Sequence, residues 1–163
     1  MKKIFLLLLN FSLLLNALTV SEVVNNLKIE GIKPLGVITS QLNADLVKAG
    51  HKKVSDDAAA LDLLIKKDGL VMLKFFASWC GPCRNWAPIV SAVASENKTF
   101  KKDGKDVNAL YVEINVDQYK SISAKFGISN IPAGTVYVNG MQKHRFVGST
   151  TKNVLIERLK QSL

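Results

Sequence analysis

The chain has 163 residues but only two cysteines, two histidines and four prolines. Two cysteines form at most one disulfide, which excludes a small secreted scaffold held by several bridges. A zinc centre would need two ligands beyond the cysteines. Only His51 and His144 are available, and neither stands at ligand spacing, so no metal is expected. Repeats, low-complexity tracts and Pro- or Ser-rich linkers are absent, which argues against a solenoid or a string of domains. Aromatic residues make up 7% of the chain and do not interleave with the scattered lysines, so nucleic-acid binding is not expected.

What is present is concentrated. Both cysteines lie in Trp79-Cys80-Gly81-Pro82-Cys83. A C-x-x-C pair can close on itself, and a chain that keeps only this pair points to thiol–disulfide chemistry. Met1-Lys2-Lys3 followed by the apolar run Ile4–Leu15 and Asn16-Ala17 has the layout of a secretory signal peptide over residues 1–17. Leu15 fits the small-x-small rule poorly, so an uncleaved N-terminal membrane anchor is the alternative. Without residues 1–17, which hold two lysines and no acid, 20 basic and 13 acidic residues remain, a net charge of +7. That excess reads as solubility rather than as a binding surface. The remaining 146 residues suit one domain.

Residues 18–53 form an N-terminal extension. Val20, Val23, Val24 and Leu27 predict a helix ending near Gly31, and Leu35–Ile38 predict a short strand. Leu42, Leu46 and Val47 predict a second helix capped by Thr39 or Ser40, with Gly50 past its end. From Val54 onward strands and helices alternate: a helix from Ser55 to Lys67, a buried strand Leu70–Ala77 and a helix from Pro82 to Asn97. Strand Asn108–Val116 should run parallel to Leu70–Ala77, because a helix joins them. Further on come a helix Tyr119–Phe126 and a hairpin of Thr135–Val138 with His144–Val147, its loop longer than two residues. A last helix is capped by Ser149 or Thr150.

Residues 54–163 resemble thioredoxin. Phe75-Phe76-Ala77-Ser78-Trp79-Cys80-Gly81-Pro82-Cys83-Arg84, Ala87-Pro88, Asn115-Val116-Asp117, Phe126-Gly127-Ile128, Ile131-Pro132, Asn139-Gly140 and Val147-Gly148 match motifs of that family in the family's order. The resemblance implies an α/β thioredoxin fold, a central mixed sheet flanked by helices, with the cysteines at the carboxyl end of a strand. It also implies a cis bond at Ile131-Pro132 and a substrate strand recognised by the backbone before Pro132. Trp79, Gly81, Pro82, Ile131, Pro132 and Gly148 are the expected substrate-binding residues, and Trp86 is expected to pack in the core or at its rim.

Cys80 should stand at the start of a helix, whose free N–H groups favour the thiolate, and is the expected nucleophile. Gly81 permits a tight turn, Pro82 suits the first helical position, and Cys83 resolves the mixed disulfide. The chain departs from the family at Lys74, where thioredoxins carry a buried aspartate. Glu113 stands where bacterial thioredoxins often have a lysine, which predicts a reversed charge pair. Glu113, or a Lys74 neutralised by burial, becomes the candidate proton relay to Cys83; the alternative is a Lys74 that snorkels to solvent.

The expected function is an extracytoplasmic, most simply periplasmic, reductant of protein disulfides. It would work through a Cys80/Cys83 dithiol–disulfide cycle without a cofactor, as a monomer fed by a membrane electron donor. Gly81-Pro82 places no histidine between the cysteines, as strong oxidants commonly do, and Ile131 also looks like thioredoxin. The alternatives are an isomerase or oxidase of the same fold, or a redox-inactive adaptor or metallochaperone.

Overall fold

The structure, a computed structural model, describes residues 18–163; the expected signal peptide lies outside the described residues. Six strands form one sheet in the order β1-β4-β2-β5-β6, with β3 paired to β4. At its centre is β2 (Leu70–Phe76), parallel to β4 (Lys105–Asn115) on one side and antiparallel to β5 (Ala133–Val138) on the other. Helices cover both faces of β2, which is why its run LVMLKFF is apolar throughout apart from Lys74.

One face of the sheet is covered by α1 (Val20–Asn26), α2 (Leu35–Lys48), α3 (Asp57–Leu64) and α5 (Lys120–Lys125), which bury Val71, Leu73 and Phe75. The other is covered by α4 (Gly81–Glu96) and α6 (Lys152–Gln161), which bury Leu70 and Met72. The sheet and its two helical layers make the expected thioredoxin fold.

Residues 18–53 contribute to this core. Leu35, Ile38, Leu42 and Leu46 fall on one stripe of α2 and are at most 1% exposed; burying each such side chain contributes about 1.5–3 kcal/mol. Thr19 and Glu22 close a capping box at the start of α1. At its other end the buried Lys67 donates to the carbonyls of Val24, at 3.2 Å, and Asn25. Asn25 and Asp68 exchange two more hydrogen bonds, at 2.7 and 2.9 Å.

Several boundaries differ from expectation. The strand expected at Leu35–Ile38 is the first turn of α2, and the true strand β1 is Ile32–Pro34, parallel to β4. Helical spacing of buried leucines outweighs the β preference of Val37 and Ile38. Thr39 and Ser40 do not cap; they lie inside α2 and donate to the carbonyls of Leu35 and Gly36. The helix expected from Ser55 to Lys67 is shorter, Asp57–Leu64 with Asp56 as cap, and Thr151 caps α6 in place of Ser149 or Thr150. The hairpin loop is two residues, Asn139-Gly140, because β6 starts at Met141; a bulge at Val136/Tyr137 absorbs the register shift. The strand β3 (Thr99–Lys102) was not expected.

Candidate active site

The strand β2 ends at Phe76, and three residues later the chain enters the motif at the carboxyl end of the sheet. Cys80 is the N-cap of α4, and Cys83 lies in its first turn. They form a disulfide with Cα atoms 5.2 Å apart, and the Cys83 N–H donates to Cys80 Sγ at 3.2 Å. Cys80 is 4% exposed and Cys83 2%, in a small apolar cluster with Ala77, against which Phe76, Val116 and Ile131 pack. Pro82 falls at the second helical position rather than the first. The conformational need expected of Gly81 is absent. Its φ is not left-handed, and an added Cβ would meet only Arg84 Nη2 at 3.9 Å.

Trp79 stands beside the cysteines and is 68% exposed, an unusual position for an indole. Its Nε1–H donates to Asp117 Oδ2 at 2.9 Å, and the Asp117 N–H donates to Asn115 Oδ1 at 3.0 Å. Asp117 thus fixes an aromatic platform at the end of β4. The sequence had marked it only as part of a motif. The Ile131-Pro132 bond is cis, Ile131 packs against the cysteine cluster, and the Gly148 N–H donates to the Pro132 carbonyl at 2.7 Å. Val147, next to Gly148, is 58% exposed and extends the apolar surface.

Trp86 is fully buried, edge-on to Phe146 at 5.8 Å, and belongs to the core. His51, in the loop after α2, bonds the Leu18 carbonyl, and His144, on β6, lies tilted beside Phe146.

Lys74 and Glu113 are register partners on β2 and β4, with Nζ and Oε1 2.6 Å apart. Lys74 is 1% exposed and does not snorkel, whereas the Glu113 side chain is 21% exposed. The Lys74 ammonium also sits 5.2 Å from the centre of the Phe76 ring, and Phe76 packs on the cysteines. Among the described residues no hydrogen bond joins Lys74 or Glu113 to either sulfur. Across the sheet, Lys74 is the partner of Gly134, and Gly134 of Phe146. A Cβ on Gly134 would come within 2.2 Å of the Phe146 ring, so glycine there lets that ring lie over the sheet at Gly134.

Comparison with known proteins agrees with this geometry. The thioredoxin family model matches residues 50–161. A thioredoxin of Echinococcus granulosus is 32% identical over 108 residues, 66% of this chain and 91% of that protein. A thioredoxin of Streptomyces clavuligerus is 33% identical over 105 residues, covering 64% and 89% respectively. The X-ray structure of Fasciola hepatica thioredoxin aligns with a TM-score of 0.53 at 34% identity, over 65% of this chain and 94% of that one. With its Cys80–Cys83 pair in place at the head of α4, the chain belongs to the thioredoxin family and is a thiol:disulfide oxidoreductase.

Proposed function

We propose that this protein reduces protein disulfides outside the cytoplasm, with Cys80 as nucleophile and Cys83 as resolving thiol. The observation that carries the reading is the cysteine pair at the N-terminus of α4 beside the cis-proline and the exposed Trp79. In the reduced protein the helix dipole and the Cys83 N–H favour the Cys80 thiolate. That thiolate attacks one sulfur of a substrate disulfide, forming a mixed disulfide and expelling the other substrate sulfur as a thiolate, which takes up a proton. Cys83 then gives up its proton and attacks Cys80 Sγ. The second substrate thiol leaves, two electrons have moved to the substrate, and the Cys80–Cys83 disulfide remains. Resetting the enzyme needs a dithiol donor, for which a membrane relay is the proposed source.

Substrate binds by strand addition at the Ile131 backbone, over the apolar surface of Trp79, Pro82, Pro132 and Gly148, with Gly81 leaving the approach to the disulfide open. The proton from Cys83 reaches solvent by way of Glu113, the more exposed member of the Lys74–Glu113 pair. Residues 1–17 support export by their sequence. The burial of α1 and α2 supports a structural role for the extension and a monomeric protein.

The deciding experiment is dithiothreitol-driven insulin reduction by wild type and Cys80→Ser, with the reduction potential measured against glutathione. Turnover lost in Cys80→Ser, and a potential nearer thioredoxin's roughly −270 mV than a strong oxidant's roughly −120 mV, are expected. A potential at the oxidising end overturns the direction and favours an oxidase or isomerase; no turnover by wild type favours an adaptor. Export is tested by N-terminal sequencing of the protein from a cell's outer compartment. If Lys74→Ala changes neither the titration of Cys83 nor turnover, the relay is abandoned.

A further inference from the structure

The segment Gly127–Pro132, which carries the cis-proline from α5 to β5, is tied at its two ends by β6 and by the residue that follows that strand. At its far end the Gly148 N–H donates to the Pro132 carbonyl at 2.7 Å. At its near end the Arg145 guanidinium donates from Nη1 to the Phe126 carbonyl at 2.9 Å and from Nη2 to the Gly127 carbonyl. These carbonyls end a helix of six residues, where no further turn satisfies them. So short a helix has little stability of its own with which to hold the loop beyond it. The Ile128 N–H closes back on the Ser123 carbonyl at 2.9 Å, and the side chains of Ser129 and Asn130 bond only each other. Among the described residues, Arg145 is the side chain from outside the segment that is hydrogen-bonded to it.

The geometry points to Arg145 as a positioning residue for substrate binding. Its fork holds the start of the loop against β6, so that Ile131 and Pro132 meet an extended polypeptide already in place. Arg145 itself touches neither sulfur. This inference rests on the proposed strand addition at Ile131. A planar guanidinium can serve two successive carbonyls at once, whereas a lysine ammonium on a flexible stem serves them poorly. A loop released from this anchor must be ordered at each binding event, and that cost falls on affinity rather than on the sulfur chemistry.

The test compares Arg145→Ala and Arg145→Lys with wild type. Insulin reduction driven by dithiothreitol gives KM and kcat for a polypeptide disulfide. The pre-reduced protein mixed with the small aromatic disulfide DTNB gives the reactivity of the dithiol alone. For Arg145→Ala, KM for insulin is expected to rise about 3- to 10-fold while kcat stays within about twofold, with Arg145→Lys between it and wild type. The DTNB rate and the reduction potential are expected to match wild type. An unchanged KM overturns the inference, and so does a DTNB rate that falls in parallel with insulin reduction. If Arg145→Ala does not stay folded at the assay temperature, Arg145→Lys decides by the same criteria. A wild type inactive on insulin defeats the proposed function itself, whereas an active wild type with unaltered variants defeats only the role of Arg145.

Discussion

Lys74 carries its ammonium into a part of the molecule that water does not reach. Its partner Glu113 keeps contact with solvent, at 21% exposure against 1%. The two members therefore differ in what their loss should do. Glu113→Leu strands a buried cation, and breaking a buried pair from one side costs about 3–5 kcal/mol. Lys74→Met leaves a carboxylate that can still turn toward water, so its cost is expected to be clearly smaller. The double variant Lys74→Met/Glu113→Leu removes both desolvated charges and is expected to lie within about 1 kcal/mol of wild type. Urea unfolding of the three variants checks this. Equal costs for the two single variants would show that the pair is more evenly solvated than the geometry implies. The structure makes Lys74 and Glu113 register partners. The pairing was legible only through the resemblance to thioredoxins, which implies an aspartate and a lysine facing each other at these two positions. The row beside it was not. That Gly134 makes room for Phe146 depends on strand register, which one sequence does not contain.

Among the elements, the start of β2 shows how a glycine can be required for two different reasons. Gly69 has φ +99°, and a Cβ there would fall 2.4 Å from the Asn108 carbonyl oxygen on the neighbouring strand β4. Gly104 in the β3–β4 turn also has a positive φ, +76°, but nothing lies within 4 Å of its missing Cβ. Gly104→Ala is expected to cost only the backbone term, about 1–2 kcal/mol. Gly69→Ala adds a clash with backbone that neither strand can relieve alone, and is expected to cost at least twice as much. Both are read by chemical unfolding, and equal losses would remove the close approach as the explanation. The same region marks where sequence reading ran out. Asp103-Gly104 is a turn signal, yet the strands around it are mostly exposed and rich in lysine. Without an alternating apolar face, β3 left no periodic trace beyond Phe100 and Val107. At Leu35–Ile38 the local preference was legible and misleading, because the helical stripe that decides the matter extends to Leu46. The long buried elements β2 and α4, with strong patterns and clear ends, were legible almost residue by residue, and so was the position of the disulfide between them.

At the scale of the whole molecule, the layers that bury the sheet also bury Tyr111 and partly cover Tyr119 and Tyr137. Burial pushes the Tyr111 phenol well above its ordinary value, and its hydroxyl donates to the Asn97 carbonyl at 2.9 Å. Burial, helped by the hydrogen bond to Asp57, pushes Tyr119 up to about 12. Tyr137 is raised too, by burial, against the opposing pull of Arg145 and Lys125. An unfolded tyrosine loses its proton near pH 10. Between there and the folded values the native chain holds more protons than the unfolded one, so stability falls as pH rises through that window. Lys67 acts in the opposite sense. Burial lowers its pKa, so the folded chain gives up that proton first, and its contribution to stability rises until the unfolded lysine titrates near 10.5. Above that point only the tyrosine effect remains. Titration followed by tyrosinate absorbance is expected to show a smaller step near pH 10 in the native protein than in concentrated urea. The free energy of unfolding is expected to decline from pH 10 to 12, and less steeply in Tyr119→Phe. A native step near pH 10 as large as the one in urea would mean that the layers do not exclude water from these phenols. Because α1 and α2 share the core cluster with Tyr119, the N-terminal extension would then be the first element to suspect of opening.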